Sequence, residues 1–334
     1  MTKLLFHILF KNTMRREKKV AAMIETGDFL WYDGIHKNCC VHHKEEAMTN
    51  LFDLHIHTTA SDGSDTPAQL AQMLRGAGIR LFSVTDHDTI DGTLEMEKLV
   101  PEGARFIRGI EFSCVSPVCN CHILGYGFDP AHPVFQAALE EGRFLRMDKL
   151  ERRLKLMEEN FGIVLTAEER QWLMSRNSPG KPHLGKILMD RGLCTDLSSG
   201  IRKYVQNVPG RDRIEAETAV RAIEAAGGIS VWAHPLGGEG EKRLTPEQFE
   251  AQLETLLGYG IRGMECWYSR YSMEEVRFLG SRAAEHGLIV TGGSDYHGMN
   301  KTGLDLGMLN TERLPADIDW QGLSDVLTDA VNMV

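Results

Sequence analysis

Seven short apolar runs, six of them carrying a histidine or a carboxylate at or just beyond one end, limit what this chain can fold into. They cover residues 51–57, 81–85, 105–112, 122–127, 228–234, 263–267 and 288–294. Most are continuously apolar, the pattern of strands buried on both faces of a parallel sheet. Helical patterns at 67–77, 216–226 and 247–258 separate several of them, and Gly78, Gly227 and Gly260 follow as helix C-caps. Alternation of this kind predicts an α/β fold, a barrel or open sheet with right-handed crossovers. In the first run, Asp53-Leu54-His55-Ile56-His57, strand alternation points both imidazoles to one side. Side by side at a strand end, two imidazoles with carboxylates nearby suit a metal centre.

Residues 137–213 break the rhythm. The stretch 143–159 is highly charged, with Leu145, Leu150, Leu154 and Met157 on one side of a helix. Thr166-Ala167-Glu168-Glu169 reads as a helix start with a capping box, and further helices are expected at 182–191 and 198–205. No strand stands out here, so the segment is expected to be a helical insertion serving as a lid or substrate cap within a barrel domain spanning 50–334. Residues 1–49 read as a poorly ordered extension. Lys11, Arg15, Arg16, Lys18 and Lys19 follow an apolar stretch without a cleavage site, which argues against a secretory signal. Cys39-Cys40 beside His42-His43 is a poor metal tract, because adjacent cysteines hinder each other at one ion. Met48 would make a natural start.

Composition narrows the function. A net charge of −10 over 334 residues argues against a broad nucleic-acid-binding surface, so no stable nucleic-acid complex is expected. Seven scattered cysteines do not form a disulfide framework and fit a cytoplasmic setting. No apolar run approaches the ~18–20 residues of a membrane span. Oligomeric state is not legible.

The chemistry lies at the strand ends. His55 and His57 close the first run, His87 the second and Glu111 the third; His122 opens the next, His234 closes the fifth, and Asp295 with His297 follows the last, while Asp62 stands in the first loop. In parallel α/β folds reactive groups gather at the carboxyl edge. One buried histidine is ordinarily a core residue; so many at strand ends is not a packing pattern. Nine candidate ligands exceed what one ion uses, implying two or three. Mixed nitrogen and oxygen donors suit Mn²⁺, Fe²⁺ or Zn²⁺. Asp53 and Asp86 are expected to orient ligating imidazoles, and Asp88 either does the same or sits in a turn. Cys114, Cys119 and Cys121 flank Glu111 and His122, but Cys119-Asn120-Cys121 lacks the usual zinc-site spacing.

Asp53-Leu54-His55-Ile56-His57, Ser61-Asp62-Gly63, Thr85-Asp86-His87-Asp88, Gly109-Ile110-Glu111, Ala233-His234-Pro235 and Gly293-Ser294-Asp295-Tyr296-His297 together resemble the motif series of the PHP (polymerase and histidinol phosphatase) superfamily. The likeness runs from about residue 50 to 310. It implies a distorted seven-stranded β/α barrel and a multinuclear metal site for phosphoester hydrolysis. It also implies that His55, His57, Glu111 and Asp295 hold one ion and that Asp62, His87 and Glu111 serve a second with Glu111 bridging. His122, His234 and His297 would complete the set. His234 and Asp295 are the expected catalytic residues. The insertion and Pro182-His183 resemble the stand-alone enzymes acting on 3′,5′-bisphosphate nucleosides and on the 5′ ends of short RNA.

Such substrates carry a second anion, for which Lys181, His183, Arg211 and Arg270 are the candidate contacts, Lys181 and His183 opening a helix whose N-terminus favours anions. Arg213 and Lys203 read as surface charges. The expected substrate is a small phosphorylated metabolite or a short oligonucleotide. A cyclic sugar-phosphate diesterase would use the same metals. An amidohydrolase also begins with His-x-His, but the His87 motif, Glu111 and the final Asp-x-His speak against it. A non-catalytic relative would be expected to have lost ligands.

Overall fold

The computed structural model describes residues 51–205, 207–238 and 242–329. The expectations for residues 1–49, including Cys39, Cys40, His42, His43 and Met48, lie outside them. Eight strands form one sheet: β1 (Phe52–Ile56), β2 (Leu81–Val84), β3 (Arg105–Val115), β4 (Asn120–Tyr126), β5 (Ile214–Glu215), β6 (Ile229–Trp232), β7 (Gly263–Tyr268) and β8 (Ile289–Gly293). The main path runs β1-β2-β3-β4-β6-β7-β8, with β5 paired to the end of β3. Helices flank it: α1 (Pro67–Ala77), α2 (Asp91–Met96), α7 (Ala216–Ala225), α8 (Pro246–Tyr259), α9 (Met273–Glu285) and α10 (Trp320–Asp329). Local chemistry sets their ends. Thr66 and Gln69 make a capping box ahead of α1, Pro67 starts it, and Gly78 stops it in the left-handed conformation.

The sheet closes into a nearly complete barrel at β1 and β8. Ile56 bridges Tyr296 in parallel register, and the His57 amide donates to the Tyr296 carbonyl at 2.9 Å. Asp53 secures the join: its carboxylate accepts from the Ser294 amide (2.9 Å), the Ser294 hydroxyl (2.6 Å) and the Gly307 amide (2.9 Å). Burial pushes the Asp53 carboxyl up to about 6 against these hydrogen bonds. Asp53 therefore holds the barrel shut and touches no imidazole, a correction to the orienting role expected for it.

The all-parallel expectation fails at β4, which runs antiparallel to both β3 and β6. The reason is the connection: the Ser116 amide donates to the Cys119 carbonyl at 3.0 Å, closing a tight turn. Two intervening residues allow a hairpin but not a parallel crossover. Reversal has a functional consequence. His122, near the start of β4, reaches the same edge as residues that end β1, β2 and β6.

Between β4 and β5 the chain forms four helices: α3 (Pro133–Phe161), α4 (Ala167–Met174), α5 (Lys181–Asp190) and α6 (Leu197–Tyr204). The expected capping box at Thr166 and Glu169 is present. Helix α3 is longer than its sequence pattern because Pro133 starts it nearly three turns earlier than expected. Its first half, through Phe135, Leu139 and Leu145, packs into the barrel core. Its second half, through Leu150 and Met157, packs with Leu173, Leu184 and Leu188 in a separate cluster. One rigid helix thus ties the insertion to the barrel.

Gly293 passes so close to β1 that an added Cβ would lie 2.2 Å from the His55 Cβ and 2.5 Å from its amide nitrogen. Gly293→Ala is expected to force β8 off β1, costing ~2–3 kcal/mol by overpacking. Urea denaturation of the two proteins checks this; equal midpoints would show that the close approach is dispensable.

Candidate metal centre

The carboxyl edge of the barrel gathers all nine expected ligands around Glu111. This residue is buried near the middle of β3, and its two oxygens face five imidazoles. Oε2 lies 2.9 Å from His87 Nδ1, 3.2 Å from His57 Nε2 and 3.4 Å from His55 Nε2. Oε1 lies 2.9 Å from His122 Nδ1 and 3.1 Å from His234 Nε2. Asp295 Oδ1 lies 3.4 Å from His57 Nε2 and 3.6 Å from His55 Nε2, while Asp62 Oδ1 stands 3.2 Å from His297 Nε2. Backbone strain accompanies this crowding: Asp88, His234 and Asp295 all take positive φ (51°, 28° and 56°).

Supporting groups explain how each ligand is aimed. Glu265 accepts from His55 Nδ1 at 2.9 Å and from the His234 amide at 2.8 Å. His297 Nδ1 donates to the Asp295 carbonyl at 2.8 Å, which turns Nε2 toward Asp62. Asp86 accepts from the Thr58 amide (2.8 Å), the Thr58 hydroxyl (2.7 Å) and the Ser61 hydroxyl (2.5 Å). It shapes the loop that delivers Asp62, and it reaches the His57 ring only through Ser61, whose hydroxyl lies 3.4 Å from His57 Nδ1. Asp88 accepts from the Ser113 amide at 2.8 Å and from Arg146 at 2.7 and 2.9 Å, so it anchors an arginine.

The donors fit divalent metal ions. Five buried atoms, His55 Nε2, His57 Nε2, His87 Nδ1, Glu111 Oε2 and His297 Nε2, lack a well-formed hydrogen bond. Buried polar atoms left so are costly unless something ligates them. Three overlapping groups have ligand atoms within 4.8 Å of one another: His57, Asp62, His87 and His297; His55, His57 and Glu111; and His87, Glu111 and His122. Burial opposes charge on Glu111, but His87, His122 and His55 hold its carboxyl well below the usual range. Burial also lowers His87, to about 4, leaving it ready to ligate. It opposes protonation of His57 too, but the carboxylates of Asp295 and Glu111 overcome it and hold that ring up at about 9.

The centre forms the floor of an open cavity of about 780 Å³. Its walls include Arg146, Lys149, Arg153, Lys181, Arg213 and Lys301. Lys149 pairs with Asp212, Lys181 donates to Asn207 at 3.1 Å, and Arg213 lies 3.1 Å from His122 Nε2. Arg153 differs. It is 6% exposed, its Nε has no hydrogen bond, and no ion pair holds it among the described residues.

Of the expected substrate contacts, Lys181 lines this cavity and three others do not. His183 accepts from the Gly180 amide at 3.0 Å and caps α5. Arg211 pairs with Glu141 on the exposed side of α3, and Arg270 donates to the Thr302 carbonyl at 3.1 Å. Arg213, read as a surface charge, lies in the cavity. Sequence reasoning missed Glu265, whose signal is a lone charge inside the apolar strand Gly263–Tyr268. It also missed Arg146, Lys149 and Arg153, spaced to share one face of α3 but hidden in a helix charged all round.

Metal should enter this centre by displacing protons, because the Asp295 and Glu111 carboxylates favour the protonated His57 ring, and an imidazole can ligate only in its neutral form. Calorimetric Mn²⁺ titration at pH 7 in buffers of different ionisation enthalpy should show release of about one proton or more, with affinity weakening as pH falls toward 6. Heats independent of buffer would contradict this.

No family profile matches the chain. Individual proteins do. It is 30% identical over 276 residues to the 3′,5′-nucleoside bisphosphate phosphatase of Chromobacterium violaceum, covering 80% of this chain and 93% of that one. It is 30% identical to a 5′-3′ exoribonuclease of Haemophilus influenzae, covering 75% and 91%. It is 28% identical to the phosphoribosyl 1,2-cyclic phosphate 1,2-diphosphodiesterase of Eggerthella lenta, covering 74% and 94%. Among solved structures, one from Bifidobacterium adolescentis assigned as a metal-dependent phosphoesterase superposes with a TM-score of 0.67 at 26% identity, covering 78% and 93%. One from C. violaceum, named as an amidohydrolase with bound sulfate and no metal, gives 0.68 at 26% identity, covering 82% and 95%. With eight histidine and carboxylate side chains gathered around Glu111 on a nearly closed barrel, the chain belongs to the PHP family of metal-dependent phosphoesterases, hydrolases that include the nucleoside bisphosphate phosphatase.

Proposed function

We propose that this phosphoesterase hydrolyses one phosphate ester bond of a small metabolite bearing a second anionic group, such as a nucleoside 3′,5′-bisphosphate or a short 5′-phosphorylated oligonucleotide. The observation that carries the reading is Arg153, a buried guanidinium with no ion pair of its own among the described residues, its nearby Asp212 being paired with Lys149, that lines the same cavity as the metal-ligand cluster. An unpaired buried cation costs stability and is retained where a ligand completes it. The bisphosphate phosphatase and exoribonuclease relatives support the choice of substrate.

In this reading His55, His57, Asp62, His87, Glu111, His122, His234, Asp295 and His297 hold two or three divalent ions, Mn²⁺, Fe²⁺ or Zn²⁺. Bound there, such ions neutralise charge on a phosphoryl group and lower the pKa of water at neutral pH. The protein's share is placement. Arg146, fixed by Asp88, and Arg153 hold the non-reacting anion from α3, and Lys181 and Arg213 extend that grip. The helical insertion caps the cavity and limits water. His234 borders the open space, and its Nε2, 3.1 Å from Glu111 Oε1 and 3.2 Å from His122 Nδ1, is turned into the ligand cluster. A phosphoribosyl cyclic phosphate also bears a second phosphate and would engage Arg153 in the same way, so direct comparison of the two substrates separates the readings; a neutral amide would leave the whole basic wall unused. No helix among the described residues is long and apolar enough to cross a membrane. The seven scattered cysteines support a cytoplasmic setting.

Arg153→Met is expected to raise KM for 3′,5′-bisphosphate nucleosides by roughly 10–100-fold, the weight of a charge-assisted contact. A simple aryl phosphate should be hydrolysed as before, and thermal stability should rise as the unpaired charge goes. An equal loss on the aryl phosphate would sink the assignment.

A further inference from the structure

The residue after the ligand-bearing turn of β8 that the reaction has not yet used is Lys301. Its ammonium lies 2.7 Å from Asp295 Oδ2, and the Tyr268 hydroxyl donates to the same oxygen at 2.9 Å. Asp295 Oδ1 is turned the other way, toward His55, His57 and His297. The loop that carries Lys301 is itself fixed. Asn300 donates to the Asp62 carbonyl at 2.9 Å, and the Met299 amide donates to Ser64 at 2.9 Å. Lys301 is three-quarters buried and lines the cavity beside the ligand cluster.

Two physical effects follow. A carboxylate whose second oxygen is taken by a hydroxyl and an ammonium can offer a metal only one oxygen. The ammonium also draws charge from that carboxylate, so the remaining oxygen is a weaker donor. Carboxylates that accept from a ligating histidine, as Glu265 does from His55, act in the opposite sense and strengthen the ligand. A cation behind a ligating carboxylate should therefore loosen the grip on the ion and leave the ion more electrophilic.

We propose that Lys301 tunes the metal centre by holding the outer oxygen of Asp295, which keeps Asp295 a one-oxygen ligand and weakens metal binding in favour of reactivity. Lys301 is a positioning residue in this account, and the account rests on Asp295 being a metal ligand.

The test is direct titration of the chelator-stripped full-length protein with Mn²⁺ alone, which needs no substrate and so stands apart from the phosphatase reading. Lys301→Met should bind Mn²⁺ roughly tenfold more tightly than the unaltered protein, and with bisphosphate substrate its kcat should fall while KM holds. Lys301→Arg, keeping charge and donor, should restore both values, with circular dichroism confirming that each variant is folded. Unchanged or weaker Mn²⁺ binding in Lys301→Met would overturn the proposal, since the pair would then merely brace the loop. A rise in KM with kcat preserved would overturn it too, since Lys301 would then be a substrate contact.

Discussion

A single buried carboxylate, Glu111, organises the site. Five imidazoles converge on its two oxygens from β1, β2, β4 and the end of β6. So dense a cluster in a protein interior is costly, because each ring and carboxylate gives up water. What makes it tolerable is exchange among the groups themselves and, in the working enzyme, ligation. Strain collects at the same place, with Asp88, His234 and Asp295 held at positive φ. The surrounding barrel over-determines them: Asp53 locks β8 to β1, and Glu265 pins both His55 and the backbone of His234.

Reversal of β4 is the fold's main departure from a regular βα repeat, and it serves this cluster. A parallel fourth strand would carry His122 to the opposite edge of the sheet. The hairpin at Ser116–Cys119 returns the chain within two residues, so the ring nitrogen near the strand's start reaches Glu111. Closure of the barrel then brings Asp295 and His297, more than two hundred residues further along, against His55 and His57.

Above the floor, the cavity is asymmetric. Acidic and imidazole groups come from the barrel, whereas the cationic wall comes largely from α3 and its return through Arg213. Because α3 packs half in the barrel core and half in the insertion, it holds that wall at a set height over the ligands. Local charge pairing then divides the cations: Arg146 and Lys149 are held by Asp88 and Asp212, while Arg153 shares the nearby Asp212 only at a distance and has no ion pair among the described residues.

Much of this was legible in the chain. The convergence of the candidate ligands, the α/β class and the helical segment between β4 and β5 are written in residue types at strand ends and in apolar periodicity, because those signals are local. The roles of Asp53 and Asp86 were not, since whether a buried aspartate meets an imidazole or a backbone amide depends on which segment lies opposite. Arg211, Arg270 and His183 looked like anion contacts by position, yet each found a nearer partner. Arg153 and Lys301 showed nothing in sequence, for a lysine or arginine acquires meaning only from the charges folded around it. Sequence alone therefore determined which atoms could bind metal. Only the tertiary structure decided which cations face them and which carboxylates orient them, because those pairings are made across strands and helices that the chain brings together from afar.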